Sequence, residues 1–115
     1  MNYGLKVLIT GCNGQLGKEL CRQIGIRNQA KEKFQLLATD RTKLDITDFA
    51  QVEKIVLSEK PDVIINTAAF NKVDTCENEE FKAFQINALA ARNLSVCAFK
   101  IAAKILHVST DYVFD

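Results

Sequence analysis

The chain has 115 residues, 48% of them hydrophobic and 25% charged, which is the size and balance of one folded domain rather than of a disordered segment. Fifteen Lys and Arg against fourteen Asp and Glu leave a formal charge of +1, too little for a broad electrostatic footprint on nucleic acid. No apolar run approaches the roughly 20 residues of a membrane-spanning helix, and Met1-Asn2-Tyr3-Gly4, soon followed by Lys6, does not read as a secretory leader.

A cytoplasmic location with no membrane partner is therefore expected. Four cysteines (Cys12, Cys21, Cys76 and Cys97) include no Cys-x-x-Cys pair, and the single histidine, His107, completes no metal-ligand spacing. Free thiols and no metal site are expected.

In chain order, Lys6 to Thr10 is a short apolar, β-branched run that reads as a strand buried on both faces. The turn signal Gly11-Cys12-Asn13-Gly14 ends it. A helix from Gln15 to about Ile24 places Leu16, Leu20 and Ile24 on one face, and the polar stretch from Arg27 to Lys33 breaks that pattern. Phe34 to Thr39 reads as a second strand, and Lys43-Leu44-Asp45 as a third, very short one. Asp48 to Lys60 is the next helix, with Phe49, Val52, Ile55 and Val56 inward and Thr47 as its N-cap. Pro61 stops it.

Val63 to Asn66 is another buried strand. Glu79 to about Lys104 contains neither Gly nor Pro and reads as a long helix. Its small residues Ala83, Ala88, Ala91, Ala98 and Ala102 would let it lie close to a sheet, or to a second copy of itself in a homodimer. Ile105 to Val108 is the last strand, in which His107 reads as a satisfied core histidine rather than a catalytic base. Strands alternate with helices throughout. The expected fold is α/β, a Rossmann-like doubly wound parallel sheet in the order 3-2-1-4-5, with helices on both faces and nothing that divides residues 1–115 into two domains. Such a sheet usually continues past this point, so a domain cut from a longer protein is expected.

The strongest chemical signal is Thr10-Gly11-Cys12-Asn13-Gly14-Gln15-Leu16-Gly17, set between a strand and a helix. Gly11 permits the sharp turn, Gly14 lets the backbone approach a pyrophosphate, and Gly17 lets the helix pack on the strand. The helix start then offers N–H groups and a positive dipole end to the phosphates. No Lys-Ser or Lys-Thr pair follows, which excludes the nucleotide-triphosphate loop.

Asp40 lies 23 residues beyond Gly17, where a carboxylate can accept hydroxyl protons of an adenosine ribose and would repel a 2′-phosphate. Arg41 and Lys43 could neutralise such a phosphate, so NADH and NADPH both stay open. Asp40-Arg41 also reads as a solvated loop. Asp45 and Ile46 could meet the edge and face of an adenine, or Asp45 could cap a helix. Cys12, near a helix start, is either a reactive thiol whose alkylation blocks the coenzyme or an inert small residue.

With this loop, Asn66-Thr67-Ala68-Ala69 after one strand and Ser109-Thr110-Asp111-Tyr112-Val113-Phe114 after another, the chain resembles the extended short-chain dehydrogenases. Within them it looks most like the dTDP-4-dehydrorhamnose reductase family, in Pro61 to Asn66, Val73-Asp74 and Glu77 and the Ser-Thr-Asp-Tyr-Val-Phe string. The resemblance implies a reductase using NADH or NADPH on the 4-keto group of a dTDP-linked deoxysugar. It places Gly14, Gln15 and Leu16 on the pyrophosphate and Asp40 on the ribose. Ala68, Ala69, Phe70 and Asn71 would lie along the coenzyme's middle, with Asn87 and Val108 supporting the site. It makes Thr110 the Ser/Thr of a Ser/Thr-Tyr-Lys triad, with Asp111 on the sugar, although both also fit a plain turn after a strand.

The family's Tyr-x-x-x-Lys pair is not in these residues: Tyr3 stands before the first strand, and Tyr112 is followed by only three residues, none of them Lys. The pair and the sugar-binding domain are expected beyond Asp115, and the fragment alone is expected to be inactive. Two other readings stand beside the reductase: a sugar-nucleotide epimerase or dehydratase of the same superfamily, and a non-catalytic regulator like the methionine adenosyltransferase β subunit.

Overall fold

The computed structural model describes residues 4–30, 33–68 and 77–108, with the backbone alone for residues 77–80. Among the described residues seven elements follow in order: β1 (Lys6–Thr10), α1 (Gln15–Gln29), β2 (Gln35–Thr39), α2 (Phe49–Glu59), β3 (Val63–Asn66), α3 (Glu77–Lys100) and β4 (Lys104–His107). The strands form one parallel sheet in the order β2-β1-β3-β4.

The direction in which successive strands are added reverses at β1. The α1 crossover leads from β1 to β2 on one side, whereas α2 and α3 lead to β3 and then β4 on the other. Right-handed crossovers must therefore put α1 on one face of the sheet and the α2–α3 pair on the opposite face. On the α2–α3 face, Leu8 and Ile64 of the sheet meet Val52 and Val56 of α2 and Leu94, Cys97 and Ala98 of α3. Val7 and Ile9 alternate to the other face and are equally buried.

The expected order thus holds for four strands, and the expected outer strand at Lys43-Leu44-Asp45 does not form. Asp40 folds that segment into a turn: its carbonyl accepts from Lys43 N (3.2 Å) and Leu44 N (3.0 Å), so these groups cannot join a ladder. Leu44 instead drops into the core, 2% exposed.

Other boundaries move for equally local reasons. α1 continues to Gln29, five residues past Ile24, because its last turn lies on the surface and needs no apolar face. Asn28 uses that turn to bracket the backbone of Phe34, accepting from its N–H (2.7 Å) and donating to its carbonyl (3.2 Å). The N-cap of α2 is Asp48 and not Thr47: the Asp48 carboxylate accepts from Ala50 N and Gln51 N, while the Thr47 hydroxyl is spent on Asp45 Oδ1 at 2.6 Å. Lys60 then adopts the left-handed conformation (φ 49°), and Pro61 begins the connection to β3.

α3 ends at Lys100, short of the expected Lys104. Ala102 takes φ 56°, and Ala103 N reaches back to Ala98 O at 2.9 Å, closing the helix with a left-handed cap. Of the five alanines expected inside, Ala83 and Ala98 are buried, Ala91 is half-buried, and Ala88 and Ala102 are exposed. The buried stripe of α3 runs through Ala83, Ala90, Asn93, Leu94, Cys97 and Ala98, the 3.6-residue period that an alanine count overlooks.

Candidate coenzyme site

The point where the strand order reverses leaves a crevice beyond the carboxyl ends of β1 and β3, the usual ligand position of an open α/β sheet. A cleft of about 1050 Å³ opens there. The wall at its base is the glycine loop. Gly11 has φ +71°, and a Cβ on it would lie 2.8 Å from Ala68 N, so only glycine lets the loop turn against the end of β3. A Cβ on Gly17 would lie 2.1 Å from Gly11 O, so α1 begins directly on the loop backbone. Gly14 N–H donates to Gly11 O (3.0 Å) and Cys12 N–H to Thr39 O (3.0 Å), which ties the loop to the end of β2.

Gly14 is also the N-cap of α1. It has no side chain to cap the helix, and the first turn carries no acidic residue. The exposed start of α1 therefore keeps its positive end for an anion. Glu19 borders the cleft one turn further on, but its carboxylate is turned to Arg22 (3.0 and 2.7 Å) and Gln23 (2.9 Å), which hold its pKa down at about 2.

One wall comes from the loop after β2. Asp40 Oδ1 accepts from the Thr42 hydroxyl (2.6 Å), Thr42 N (2.9 Å) and Lys43 N (3.1 Å), and Oδ2 accepts from Asn13 Nδ2 (2.7 Å). These donors, the Thr42 hydroxyl first, hold the carboxyl below its usual range. Asp45 Oδ1 accepts from the Thr47 hydroxyl and Thr47 N, which lowers its pKa in the same way. Asp45 thus shapes the turn into α2 rather than capping the helix. Leu44, Ile46 and Thr47 reach the cleft, and Asn93, buried in α3, fixes this wall by donating to Ile46 O at 3.0 Å.

The opposite wall is the end of β3. The Thr67 hydroxyl donates to Thr10 O (2.6 Å), and Asn66 Oδ1 accepts from the Thr10 hydroxyl (2.6 Å) and Ala68 N (3.2 Å). Asn66 Nδ2 donates to His107 Nδ1 (3.1 Å), which leaves Nε2–H to donate to Ser95 Oγ (3.0 Å). His107 is therefore satisfied at both nitrogens, as expected. It is an exposed residue rather than a core one, and the partial burial of its ring pushes its pKa below the ordinary value.

Among the expected coenzyme residues, Gly11, Asn13, Gly14, Gln15, Leu16 and Gly17 all border this one cleft. Asp40, Arg41, Ile46, Ala68 and Asn87 do so from the other walls. Asp45 and Val108 do not border it. Val108 is held beside it by its N–H on Asn66 O (3.0 Å). Ala69, Phe70, Asn71, Thr110 and Asp111 lie outside the described residues, as does Cys76. Glu19, Thr42, Leu44, Thr47, Thr67, Ile86 and Ala90 also border the cleft, outside the residues expected for it. Asp-x-Thr at 40–42 is a turn signal that could have disclosed Thr42, and Ile86 and Ala90 share the helical face of Asn87.

Known proteins resemble this chain in sequence and in fold. A dTDP-4-dehydrorhamnose reductase of Aggregatibacter actinomycetemcomitans is 43% identical over 110 residues, 96% of this chain and 36% of that protein. The spore coat polysaccharide biosynthesis protein SpsK of Bacillus subtilis is 39% identical over 96% of this chain and 37% of its own length. The chain thus spans little more than a third of these relatives. A solved dTDP-4-dehydrorhamnose reductase of Bacillus anthracis, in complex with NADP, superposes with a TM-score of 0.84 at 39% identity, over 99% of this chain and 39% of that one. Residues 5–115 match the family described as RmlD substrate binding domain, and the chain belongs to that family.

Proposed function

We propose that residues 1–115 form the NAD(P)H-binding domain of a sugar-nucleotide 4-ketoreductase acting on a dTDP-linked 4-keto-deoxysugar. The observation that carries this reading is the uncapped start of α1, presented by three glycines at the reversal point of the sheet and facing a cleft of about 1050 Å³. The name of the Bacillus anthracis relative and its bound NADP support it.

In this reading the pyrophosphate lies on Gly14, Gln15 and Leu16, while Gly11 and Gly17 hold the turn beneath it. Asn13, Asp40 and Arg41 face the adenosine ribose, and Asp45 and Ile46 lie towards the adenine. Ala68, Ala69, Phe70 and Asn71 follow the middle of the coenzyme, with Asn87 and Val108 beyond. The reduced coenzyme supplies hydride to the keto carbon. Thr110 hydrogen-bonds the keto oxygen, steadying the charge that develops there, and Asp111 holds the sugar. The alkoxide also needs a proton. In this reading a Tyr-x-x-x-Lys pair gives it, and since residues 1–115 hold no complete pair, they bind coenzyme without turning it over.

Calorimetric titration of the chain with NADH and NADPH tests the reading. Both should bind, and Gly14→Val should abolish binding while circular dichroism stays unchanged, because a Cβ there meets only Gly11 O at 3.4 Å. A folded chain that gives no heat with either coenzyme overturns it.

A further inference from the structure

We infer that Asn13 is a specificity-determining latch, which occupies the ribose carboxylate Asp40 and so relaxes the choice between NADH and NADPH. The inference rests on the coenzyme reading above and adds to it a role for a loop side chain that the glycine pattern leaves unassigned.

A carboxylate offers about four acceptor positions. Oδ1 of Asp40 takes three donors, the Thr42 hydroxyl and the N–H groups of Thr42 and Lys43, and is saturated. Oδ2 takes the Asn13 amide at 2.7 Å and has room for one more. A ribose with two vicinal hydroxyls needs two acceptors to be gripped by both. As built, Asp40 can grip one.

The amide also stands on the side of the ligand. Asn13 belongs to the phosphate loop and Asp40 to the wall beyond β2, and both border the same cleft. An adenosine ribose bridging loop and wall meets Oδ2 where Nδ2 already lies. Ribose hydroxyls and Asn13 therefore compete for one oxygen, and the competition weighs on the two coenzymes unequally. NADH loses part of the hydroxyl grip that favours it. NADPH carries a 2′-phosphate, which donates nothing to Asp40, and loses less. Arg41, on the same wall, supplies a cation for that phosphate. The charge of Asp40 is meanwhile spread over four donors, which softens its repulsion of a dianion.

The test is a double-mutant cycle read as the ratio of NADH to NADPH dissociation constants, measured calorimetrically on the whole chain. Any contact of Asn13 with the pyrophosphate, common to both coenzymes, cancels in this ratio. Asn13→Ala should shift the ratio about tenfold in favour of NADH, the size of one hydrogen bond to a charged group. Thr42→Ala removes the hydroxyl but leaves both N–H donors on Oδ1, still full, so it should leave the ratio unchanged. In an Asp40→Ala background Asn13→Ala should leave the ratio unchanged. Should Asn13→Ala fail to fold, Asn13→Ser and the pair 5′-ADP and 2′,5′-ADP give the same comparison. A ratio unmoved by Asn13→Ala while both coenzymes still bind overturns the latch and leaves the coenzyme reading standing. A shift that persists without Asp40 also overturns it. If neither coenzyme binds the unmodified chain, both fall together.

Discussion

The two walls that meet at Asn13 and Asp40 are built by opposite means. The loop from Gly11 to Gly17 is held by backbone: a left-handed glycine, a glycine whose missing Cβ admits α1, and N–H groups bonded to Gly11 O and Thr39 O. The segment from Asp40 to Asp48 is held by side chains. Three aspartates at 40, 45 and 48 each fold the residues that follow by accepting their N–H groups. A backbone-built wall tolerates almost no added atom, whereas a carboxylate-built wall tolerates bulk but depends on charge. The first should break under substitution and the second under acid.

The largest effect is expected at Gly17. Gly17→Ala forces a Cβ within 2.1 Å of Gly11 O, backbone against backbone. It should cost about 3 kcal/mol in urea unfolding, at the upper end of overpacking penalties. A cost near that of an ordinary surface change would show that the loop can give way.

Acid should separate the walls next. Asp40 and Asp45 both titrate below the ordinary 3.8 in the folded chain. The unfolded chain therefore binds more protons through that range, so their stabilising effect is complete above about pH 4 and fades as pH falls further. Amide exchange at Thr42, Lys43 and Thr47 should quicken as pH falls below about 4 relative to Cys12 and Gly14, after correction for intrinsic rates. Parallel protection at all five positions would contradict the division.

Asp48→Ala should destabilise the protein by about 1 kcal/mol through loss of the α2 cap, with Thr47→Ala costing less. Equal losses would restore the Thr47 cap expected from sequence. The smallest effect lies away from both walls. Ala102→Gly relieves a left-handed alanine and should stabilise by roughly 0.5 kcal/mol, visible as a small rise in denaturation midpoint.

What could be read in the residues followed the same division. The four strands and the glycine loop were legible because β-branched runs and glycines speak about backbone directly. Asp40 was legible as a position, by its distance from the glycines, but its four donors were not. Nothing in the spacing says that Thr42 and Asn13 face it. The short strand at Lys43-Leu44-Asp45 failed for the same reason: its polar-apolar-polar pattern is also that of one residue dropped into a core from a turn. The α1 boundary depended on Asn28 finding Phe34, a contact across the connection to β2. The alanines of α3 were counted by type, whereas burial follows period, so Ala90 was missed and Ala88 was wrongly placed inside.

The sheet order has a consequence for biosynthesis. β1 is central, yet its partner on one side is β3, and Thr10 waits for Asn66, 56 residues later in the chain. A nascent polypeptide leaving the ribosome thus carries an open, wholly apolar strand margin at Val7, Leu8 and Ile9 until α2 and β3 have been translated. Parallel pairings of such long sequence separation are slow to close and prone to wrong partners. Chaperone demand should therefore peak while α2 is being synthesised, before the last strand has emerged.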